Sequence, residues 1–305
     1  MPELINMNNM HFSDSSIVTF GNFDGIHLGH KKLIDSLIYN AKKYKVKSVL
    51  IIFNPHTRQV LSGDPSFKQI SPYKSKLELL KTTNLDYIVT VDFDEDFSNI
   101  PPDIFISLLI NKLNPLMFIL GYDNRFGKNG NGSFLYLKKY VEKHNLDIKV
   151  NEFSKFDFNS KNIKSSIVKE LIEKGNIEKA NKLLGRNFSI KGVVVEGNKV
   201  GGDLGFPTAN LKIETEQQIL PMHGVYCVNL LLNKNSFKGL CNVGFRPTFN
   251  NDEKKISIET HLINEKINLY NENVEIEFVS FLRNEMKFNS KVDLVSQIKE
   301  DIKLI

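Results

Sequence analysis

The first half of the chain alternates between short apolar runs and longer segments with helical spacing. Runs rich in Val, Ile and Phe predict strands over residues 17–20, 46–53, 87–91 and 116–120. The spacing of apolar positions predicts helices over residues 31–43, 72–80, 101–111 and 134–144. Strands that alternate with helices in this way form a parallel α/β sheet, whose ligands bind beyond the carboxyl ends of the strands. The loops that leave these strands are therefore where we expect the chemistry of this half.

A different pattern begins near residue 188, where apolar strands are separated by turns rich in Gly, Asn and Pro. The predicted strands cover residues 188–195, 225–232, 237–243, 256–263 and 274–281. Many short strands of this kind are typical of a barrel or a sandwich. A helical connector over residues 165–184 precedes them, and a helix over residues 291–302 follows them. The pattern predicts two domains, residues 1–185 and 186–305.

The charge of the chain is small for its length and lies in one domain. The 305 residues include 40 Lys and Arg against 35 Asp and Glu, a formal net charge of +5. Residues 186–305 contain fifteen residues of each sign, so the whole excess falls in residues 1–185. Acidic and basic residues alternate along the sequence, whereas nucleic-acid-binding domains cluster their basic residues on one face. We therefore expect no nucleic-acid partner.

Cysteine content and hydropathy indicate a protein of the cytoplasm. Cys227 and Cys241 are too few for a disulfide scaffold and lack the paired spacing of a zinc site, so both are predicted to be reduced core residues. The N-terminal segment has no basic stretch followed by an apolar run, and no segment approaches the roughly 20 apolar residues of a membrane span. We expect a cytoplasmic location and no membrane partner.

The loop after the first predicted strand, Gly21–His30, reads GNFDGIHLGH and leads into a helix. His27 and His30 are three residues apart at the helix start, so their imidazoles face the same side. The first helical turn offers N–H groups and the positive end of the helix dipole, Gly29 lets a ligand approach the backbone, and the histidines add donors. The functional interpretation is a polyphosphate site. The structural alternative is a helix cap or a core histidine.

Two further loops leave the same edge of the predicted sheet. The Gly121–Lys128 loop reads GYDNRFGK and follows the strand over residues 116–120. It is not a P-loop, because it has five residues between its glycines instead of four, and Asn129 stands where Ser or Thr is needed. The segment FNPH, with Pro55 and His56, follows the second strand. An ordinary turn and a structural histidine are the alternatives for these two loops.

The second domain has a glycine-rich segment that begins within its first predicted strand. Residues 192–211 read GVVVEGNKVGGDLGFPTANL, and glycines at this density expose backbone amides to phosphate. Thr208 and Asn210 are two residues apart in an extended segment, so their side-chain oxygens point to the same side. Two neutral oxygens suit a Mg²⁺ ion whose other ligands are phosphate and water. A plain turn is the alternative.

These motifs resemble the prokaryotic bifunctional riboflavin kinase/FAD synthetase family, and HxGH resembles the signature of the nucleotidyltransferase superfamily. The resemblance rests on GNFDGIHLGH, FNPH, the Gly121–Lys128 loop, the Ser165 region and PTAN, and it extends from Val18 to Asp301. It implies a Rossmann-like N-terminal α/β domain that transfers AMP from ATP to FMN and releases pyrophosphate. It also implies a C-terminal antiparallel β-barrel with a terminal helix, which phosphorylates riboflavin with Mg²⁺ and ATP. Riboflavin, FMN, FAD and ATP would be the ligands.

The resemblance assigns roles to residues of both domains. The ATP phosphates of the adenylyltransferase would be bound by Gly21, Phe23, Asp24, His27, Gly29, His30, Ser165, Ser166 and Lys169. Its flavin or nucleotide loops would contribute Pro55, His56, Asp123, Arg125 and Phe126. The kinase would bind ATP with Gly192, Gly197, Gly205, Pro207 and Thr208, and Mg²⁺ with Thr208 and Asn210. Glu259 would take the proton from the ribityl 5′-hydroxyl, and Arg283 would bind the flavin.

Three positions depart from the family pattern. Lys169 stands where the family has Arg, Asn124 where it usually has Phe, and Gly202 where it commonly has Arg. Lys replaces a bidentate planar donor by a point charge, and Asn removes an aromatic surface. One alternative is therefore a riboflavin kinase only, with an impaired or lost adenylyltransferase domain. A second is a flavin- or RNA-binding regulator without turnover, which the neutral second domain without an aromatic and basic stripe disfavours.

Overall fold

A computed structural model of the chain separates into two compact units, Met1–Ser165 and Ser166–Ile305. It describes residues 1–154, 157–158, 161–197, 205–246, 255–265 and 267–305. Gly202, one of the three departures from the family pattern, lies outside the described residues.

The first unit is built on a parallel sheet. Its described strands are β1 (Glu3–Asn6), β2 (Ser16–Gly21), β3 (Lys47–Asn54), β4 (Tyr87–Asp92), β5 (Pro115–Gly121) and β6 (Lys149–Phe153). They lie in the order β1-β4-β3-β2-β5-β6, and each strand is parallel to its neighbours. A short hairpin of β7 (Asp157–Phe158) and β8 (Lys161–Asn162) follows. The four predicted strands are confirmed as β2 to β5, whereas the edge strands β1 and β6 were not predicted.

Helices and apolar clusters cover both faces of this sheet. The helices are α1 (Leu28–Tyr44), α2 (Thr57–Ser62), α3 (Tyr73–Lys81), α4 (Glu95–Ser98), α5 (Pro102–Leu113) and α6 (Phe134–Lys143). Successive strand residues enter opposite clusters, since Val18 packs with α5 and α6 residues while Ile17 packs with α1 residues. A strand that is buried on both faces must be apolar throughout. This explains why the inner strands were visible as continuous apolar runs.

The second unit is a closed antiparallel barrel with helices at its two sequence ends. Helices α7 (Ser165–Glu173) and α8 (Ile177–Leu184) precede it, and α9 (Lys291–Lys303) follows it. Its strands are β9 (Phe188–Val195), β10 (Thr208–Ile213), β11 (Gly224–Leu232), β12 (Asn235–Arg246), β13 (Lys255–Leu262) and β14 (Asn273–Arg283). The order β10-β13-β12-β11-β14-β9 closes on itself, so the fold is a barrel and not a sandwich. Within the described residues of both units, no helix is long and apolar enough to span a membrane.

The interior of the barrel is filled by alternate strand residues. Val274, Ile276 and Phe278 of β14 are buried, as the alternating pattern predicts. Both cysteines are free, but only Cys241 is fully buried, and burial raises the pKa of its thiol to about 12. Cys227 is half-buried, so its prediction as a core residue holds only in part.

Candidate functional site

The carboxyl edge of the parallel sheet opens between β2 and β5. β2 pairs with β3 as far as Gly21, but it pairs with β5 only from Ser16 to Val18. The chain runs from β2 through β3 to β4 on one side and then places β5 and β6 on the other side. Such a reversal of strand order creates the crevice in which open α/β sheets bind ligands. The loops after β2, β3 and β5 all leave the sheet at this edge.

The loop after β2 is strained and closely packed. Phe23 and Ile26 have φ angles of 49° and 41°, in a region that disfavours side chains of this size. Asp24 is buried, and its Oδ1 accepts hydrogen bonds from the N–H groups of Ile70 at 2.9 Å and Ser71 at 3.1 Å. Strain of this kind persists only where the surrounding structure imposes it, and it is concentrated at functional sites.

His27 and His30 form a stacked pair at the start of α1. Their ring centroids are 3.7 Å apart, with an angle of 14° between the planes. His27 caps the helix, since its Nδ1 accepts from the N–H of His30 at 3.3 Å. A Cβ at Gly29 would lie 3.2 Å from the His27 ring, so this glycine makes room for the ring. The cap does not exclude a binding role, because Nδ1 as an acceptor leaves the proton of neutral His27 on Nε2, where it is a donor.

A buried lysine contributes to the electrostatics of the histidine pair. Lys76 on α3 is 1% exposed, and burial lowers its pKa to about 8 although Asp24 acts in the opposite direction. Burial, followed by the charges of His27 and Lys76, holds the pKa of His30 well below 6.5. His30 is therefore neutral at pH 7, while Lys76 keeps most of its charge.

One nitrogen of His30 is left unsatisfied. Its Nδ1 is buried and has no hydrogen-bond partner in the part of the chain that the structure describes. Most buried polar atoms of folded proteins have a partner, and exceptions call for a functional or strain-based explanation. The unpaired nitrogen and the strained loop both point to this helix start as a site of function.

An asparagine ties the loop after β3 to the loop after β2. The Nδ2 of Asn22 donates to Thr57 Oγ1 at 2.7 Å, and the N–H of Thr57 donates to Asn22 Oδ1 at 3.1 Å. His56 caps α2 through its Nδ1, which accepts from the N–H of Arg58 at 3.1 Å. The Pro55–His56 segment is thus attached to the Gly21–His30 loop.

The loop after β5 exposes two charged side chains and buries an aromatic one. Asp123 and Arg125 are exposed, whereas Phe126 is buried and its ring centroid lies 5.4 Å from that of Phe20 in an edge-on contact. Phe126 is therefore a core residue at the base of the loop. Asn124 donates from Nδ2 to the carbonyl of Phe20 at 2.7 Å, so this bond crosses the opening between β2 and β5.

The three predicted residues near residue 165 fall on both sides of the division between the units. Ser165 begins α7, and its hydroxyl donates to the backbone carbonyl of Asp24 at 2.9 Å. Both residues belong to the first unit, so this bond attaches the end of that unit to its strained loop. Ser166, which is exposed, and Lys169, which is half-buried, follow on α7 and count with the second unit.

In the barrel, three polar side chains lie in a row across neighbouring strands. Asn210 of β10 is directly opposite Glu259 of β13, which is directly opposite Asn242 of β12. Residues directly opposite each other project from the same face. Ile258 and Thr260, the chain neighbours of Glu259, are buried, so the row lies on the outer face of the barrel.

A histidine fixes the segment that leads into β10. Thr208 is directly opposite His261 of β13, whose Nδ1 lies 2.9 Å from the carbonyl oxygen of Pro207. Because a carbonyl oxygen only accepts, His261 must carry a proton on Nδ1 for this bond to form. The His261 ring also contacts Phe206 with 5.2 Å between centroids.

The predicted ATP-binding glycines of the barrel have local structural explanations. A Cβ at Gly192 would lie 2.2 Å from the carbonyl oxygen of Lys212, so this glycine permits close approach of β9 and β10. A Cβ at Gly197 would lie 2.0 Å from Asn210 Nδ2, so Gly197 makes room for a predicted metal ligand. Gly205 has a φ of 84°, which only glycine adopts at no steric cost.

A cavity of about 430 Å³ lies beside the Pro207–Thr208 segment. Its lining is largely apolar and includes Val194, Leu262, Leu269 and Tyr270 together with Pro207 and Thr208. Small-molecule sites have volumes of roughly 300 to 1,000 Å³ and combine apolar walls with a few polar groups. The cavity is therefore large enough to hold a small molecule.

Arg283 is held by the terminal helix. Its Nε and Nη2 bond to the carboxylate of Asp301 on α9, with the Nη2–Oδ2 distance at 2.8 Å, and Asp301 is 2% exposed. Gln297 donates to the same carboxylate at 2.9 Å. Arg283 thus connects β14 to α9, and its role in flavin binding stays a prediction.

Sequence reasoning missed three residues that shape these sites. Asn22 lies inside the quoted GNFDG motif, and its position directly after a strand was the available signal. Lys76 is four residues before buried Leu80 on α3, so a charged residue at a core position of the helix was the signal there. His261 was seen only as a neighbour of Glu259, because its contact with Pro207 joins positions 54 residues apart.

Comparison with protein families gives two matches that together span most of the chain. Residues 9–167 match a family model described as FAD synthetase. Residues 184–305 match a family model described as riboflavin kinase. The two matches include the residues that the sequence analysis singled out in each half, except Lys169, which lies between them.

Relatives align over nearly the full length. A protein of Buchnera aphidicola subsp. Schizaphis graminum, named bifunctional riboflavin kinase/FMN adenylyltransferase, is 38% identical, with 96% of this chain and 94% of the relative covered. The protein of that name from Escherichia coli K12 is 32% identical, with 94% and 91% covered. A solved structure described as a macrolide-efflux protein from Streptococcus pneumoniae has a TM-score of 0.89 at 27% identity, with 99% and 98% covered.

Proposed function

The chain belongs to the bifunctional riboflavin kinase/FMN adenylyltransferase family, and we propose that its barrel phosphorylates riboflavin to FMN and its parallel-sheet unit converts FMN to FAD. ATP is the substrate of both reactions. The observation that carries the adenylyltransferase assignment is the stacked His27–His30 pair at the helix start beside the β2–β5 crevice. The row of Asn210, Glu259 and Asn242 on the barrel carries the kinase assignment.

Adenylyl transfer needs alignment and charge stabilisation more than proton transfer. An oxygen of the FMN phosphate attacks the α-phosphorus of ATP, and the bond to the bridging oxygen breaks as pyrophosphate leaves with the electron pair. The attacking oxygen is already anionic, so no general base is required. The Nε2–H of His27 and the N–H groups at the start of α1 are donors that can stabilise charge on the phosphates. Lys76 adds positive charge to this region.

Riboflavin phosphorylation requires a base, because an alcohol is a poor nucleophile until it loses its proton. The ribityl 5′-oxygen attacks the γ-phosphorus of ATP, and ADP leaves with the electron pair of the broken bond. Glu259 takes the proton in this proposal. Its position between the amides of Asn210 and Asn242 keeps the carboxylate among polar groups on the outer face of the barrel.

The polar oxygens around Glu259 fit a Mg²⁺ ion bound together with ATP. Asn210 is 6% exposed, and Thr208 lies two residues before it on the same side of β10. Neutral oxygens are suitable Mg²⁺ ligands when phosphate supplies the negative charge. The ion would neutralise charge on the transferred phosphoryl group. The cavity beside Thr208 would receive the adenine of the same nucleotide.

The remaining assignments are proposals that rest on the resemblance and on composition. Gly21, Phe23, Asp24, Ser165, Ser166 and Lys169 are proposed to bind or position the ATP phosphates of the adenylyltransferase. A functional boundary near residue 185 is proposed, since the riboflavin kinase match begins at residue 184. The two free cysteines support a cytoplasmic location, and the even charge distribution supports the absence of a nucleic-acid partner.

The kinase-only alternative is not favoured. The FAD synthetase match covers residues 9–167, and the described loops of that unit keep the histidine pair and a bridged crevice. The test is incubation of the purified protein with riboflavin, ATP and Mg²⁺, followed by chromatographic separation of the flavins. We expect FMN and then FAD, and FAD with pyrophosphate from supplied FMN. If no FMN forms, the kinase assignment is wrong, and if supplied FMN yields no FAD, the adenylyltransferase assignment is wrong.

A further inference from the structure

The opening between β2 and β5 leaves the end of β2 without its neighbour on one side. Thr19, Phe20 and Gly21 continue to pair with β3, but the register with β5 ends at Val18. A backbone carbonyl at such a position needs another donor, because an unpaired buried acceptor is costly. The donor to Phe20 is the side-chain amide of Asn124, at 2.7 Å.

Asn124 also closes the turn that starts the loop after β5. Its own N–H donates to the carbonyl of Gly121 at 3.0 Å. Further on, the ring of Phe126 rests edge-on against the ring of Phe20. The segment from Gly121 to Phe126 is therefore held on Phe20 at two points, one polar and one apolar. The exposed side chains of Asp123 and Arg125 flank the polar point.

The orientation of the Asn124 amide follows from its partner. A carbonyl oxygen accepts only, so the NH₂ group must face Phe20. The aromatic residue that the resemblance leads one to expect at this position has no donor for such a bond. The bridge between the two sides of the crevice is thus a property of this chain and not of the pattern that it resembles.

We propose that Asn124 is a positioning residue for adenylyl transfer, which holds the Gly121–Phe126 segment across the crevice and so fixes Asp123 and Arg125 for the nucleotide. The proposal rests on the proposed adenylyltransferase function of this unit. Without the bridge the segment has more than one arrangement, and only a fraction of the molecules is ready to bind. The apparent dissociation constant equals the intrinsic one divided by the fraction of molecules that are ready to bind, so it rises as this fraction falls. Saturating substrate still draws all molecules into the ready state, so kcat is kept.

The test compares Asn124→Ala and Asn124→Asp with the wild type in both half-reactions. Ala removes the donor, and ionised Asp keeps the shape but also cannot donate. We expect the KM of ATP or FMN in adenylylation to rise about tenfold in both variants, with little change in kcat. Riboflavin phosphorylation by the same preparation should keep its kcat and KM. Asn131→Ala is the matched control, since Asn131 is exposed and its side chain makes no hydrogen bond among the described residues.

Each outcome decides the proposal. Unchanged KM values in Asn124→Ala overturn it, and so does a rise confined to Asn124→Asp, which would report only the added negative charge. A variant that merely folded poorly would lose kcat in adenylylation with KM unchanged, and this also counts against positioning. If the wild type itself makes no FAD from FMN, the proposed function is wrong. If the wild type is active and the variants match it, only this inference is wrong.

Discussion

Lys76 is a residue whose burial works against stability. Lysine is almost never fully buried unless it is paired, and 1% exposure leaves little water to solvate its ammonium group. A pKa of about 8 instead of 10.5 means that burying the charged form costs on the order of 3 kcal/mol at neutral pH. Groups that are kept at such a cost are concentrated at functional sites. The pKa of His30 is lowered mainly by burial and then by His27, and the charge of Lys76 makes a smaller contribution in the same direction.

Replacing Lys76 by Met should weaken adenylylation without lowering stability at pH 7. We expect the KM of ATP to rise about tenfold, equal to about 1.4 kcal/mol of lost attraction. Between pH 8 and 10.5 Lys76 is protonated to a greater extent in the unfolded chain than in the folded chain. The free energy of unfolding of the wild type should therefore rise with pH relative to that of the variant. Steady-state kinetics and urea unfolding at pH 7 and pH 10 measure these effects.

Lys81→Met is the control, because Lys81 is an exposed cation on the same helix. It should leave the KM of ATP unchanged. A large loss of stability in Lys76→Met at pH 7, or a KM equal to that of wild type, would contradict the assignment of Lys76 to the phosphate site.

At the scale of single residues, the sequence predicts what local chemistry specifies. The spacing of His27 and His30 at a helix start was enough to place both on one side, and the structure stacks them there. The participation of Lys76 was not predictable in this way, since more than 40 residues separate it from the pair. The role of Arg283 in flavin binding stays a motif-based prediction. Its bond to Asp301 was not predictable, because it depends on how the terminal helix packs against β14.

At the scale of elements, the terminal helix α9 depends on the Arg283–Asp301 pair. The Arg283 side chain is 19% exposed and Asp301 is 2% exposed, so the pair is largely withdrawn from water. Removing one member of a buried pair leaves the other charge without compensation. Two nitrogens of Arg283 bind the Asp301 carboxylate, and Gln297 adds a further bond to it. The Arg283–Asp301 pair is thus a polar attachment of α9 to β14.

Asp301→Ala should therefore lower the free energy of unfolding by about 3 kcal/mol, because Arg283 loses its partner in a site of little solvation. Urea denaturation of the whole chain measures the change. We expect riboflavin phosphorylation to weaken with it, while adenylylation of supplied FMN is retained.

Glu300→Ala provides the comparison on the same helix. Glu300 pairs with Lys303 at 2.6 Å, but both side chains are more than half exposed, so the loss should be about 0.5 kcal/mol or less. Equal effects of the two substitutions would show that the Arg283–Asp301 pair does not anchor α9.

The elements that sequence reasoning found and missed differ in burial. The inner strands β2 to β5 are apolar on both faces and were recognised. The edge strands β1 and β6 are half-exposed and polar, so their pattern does not differ from that of a loop. The six residues of α2 and the four of α4 are too few to show a helical period. β10 was seen only as an extended segment after the glycines.

At the scale of the whole molecule, the product of one unit is the substrate of the other. We expect FMN formed in the barrel to leave it and to enter the parallel-sheet unit of any copy of the protein. The residues proposed to be essential for each reaction, His30 and Glu259, lie in different compact units, so we expect that each activity can be removed alone.

Glu259→Gln and His30→Ala should therefore complement each other when mixed. Alone with riboflavin and ATP, Glu259→Gln is expected to leave riboflavin unconverted, because Gln cannot accept the proton, and His30→Ala is expected to accumulate FMN. The mixture should form FAD at a rate set by diffusion and by the two intact sites. Chromatographic separation of the flavins measures the product. If the mixture makes no FAD although each variant keeps its other half-reaction, FMN does not pass freely between copies.

The closed ring of strands in the barrel also affects the tendency of the protein to aggregate at high concentration. A closed barrel has no free strand edge, so it offers no template for strand addition from another chain. The parallel sheet, in contrast, ends at β1 and β6. β1 has only four residues, and β6 carries exposed Lys149 and Glu152. Soluble proteins resist edge-to-edge aggregation by keeping their edge strands short and charged. In this protein the barrel resists such aggregation because it is closed, and the parallel sheet resists it through the composition of its edge strands.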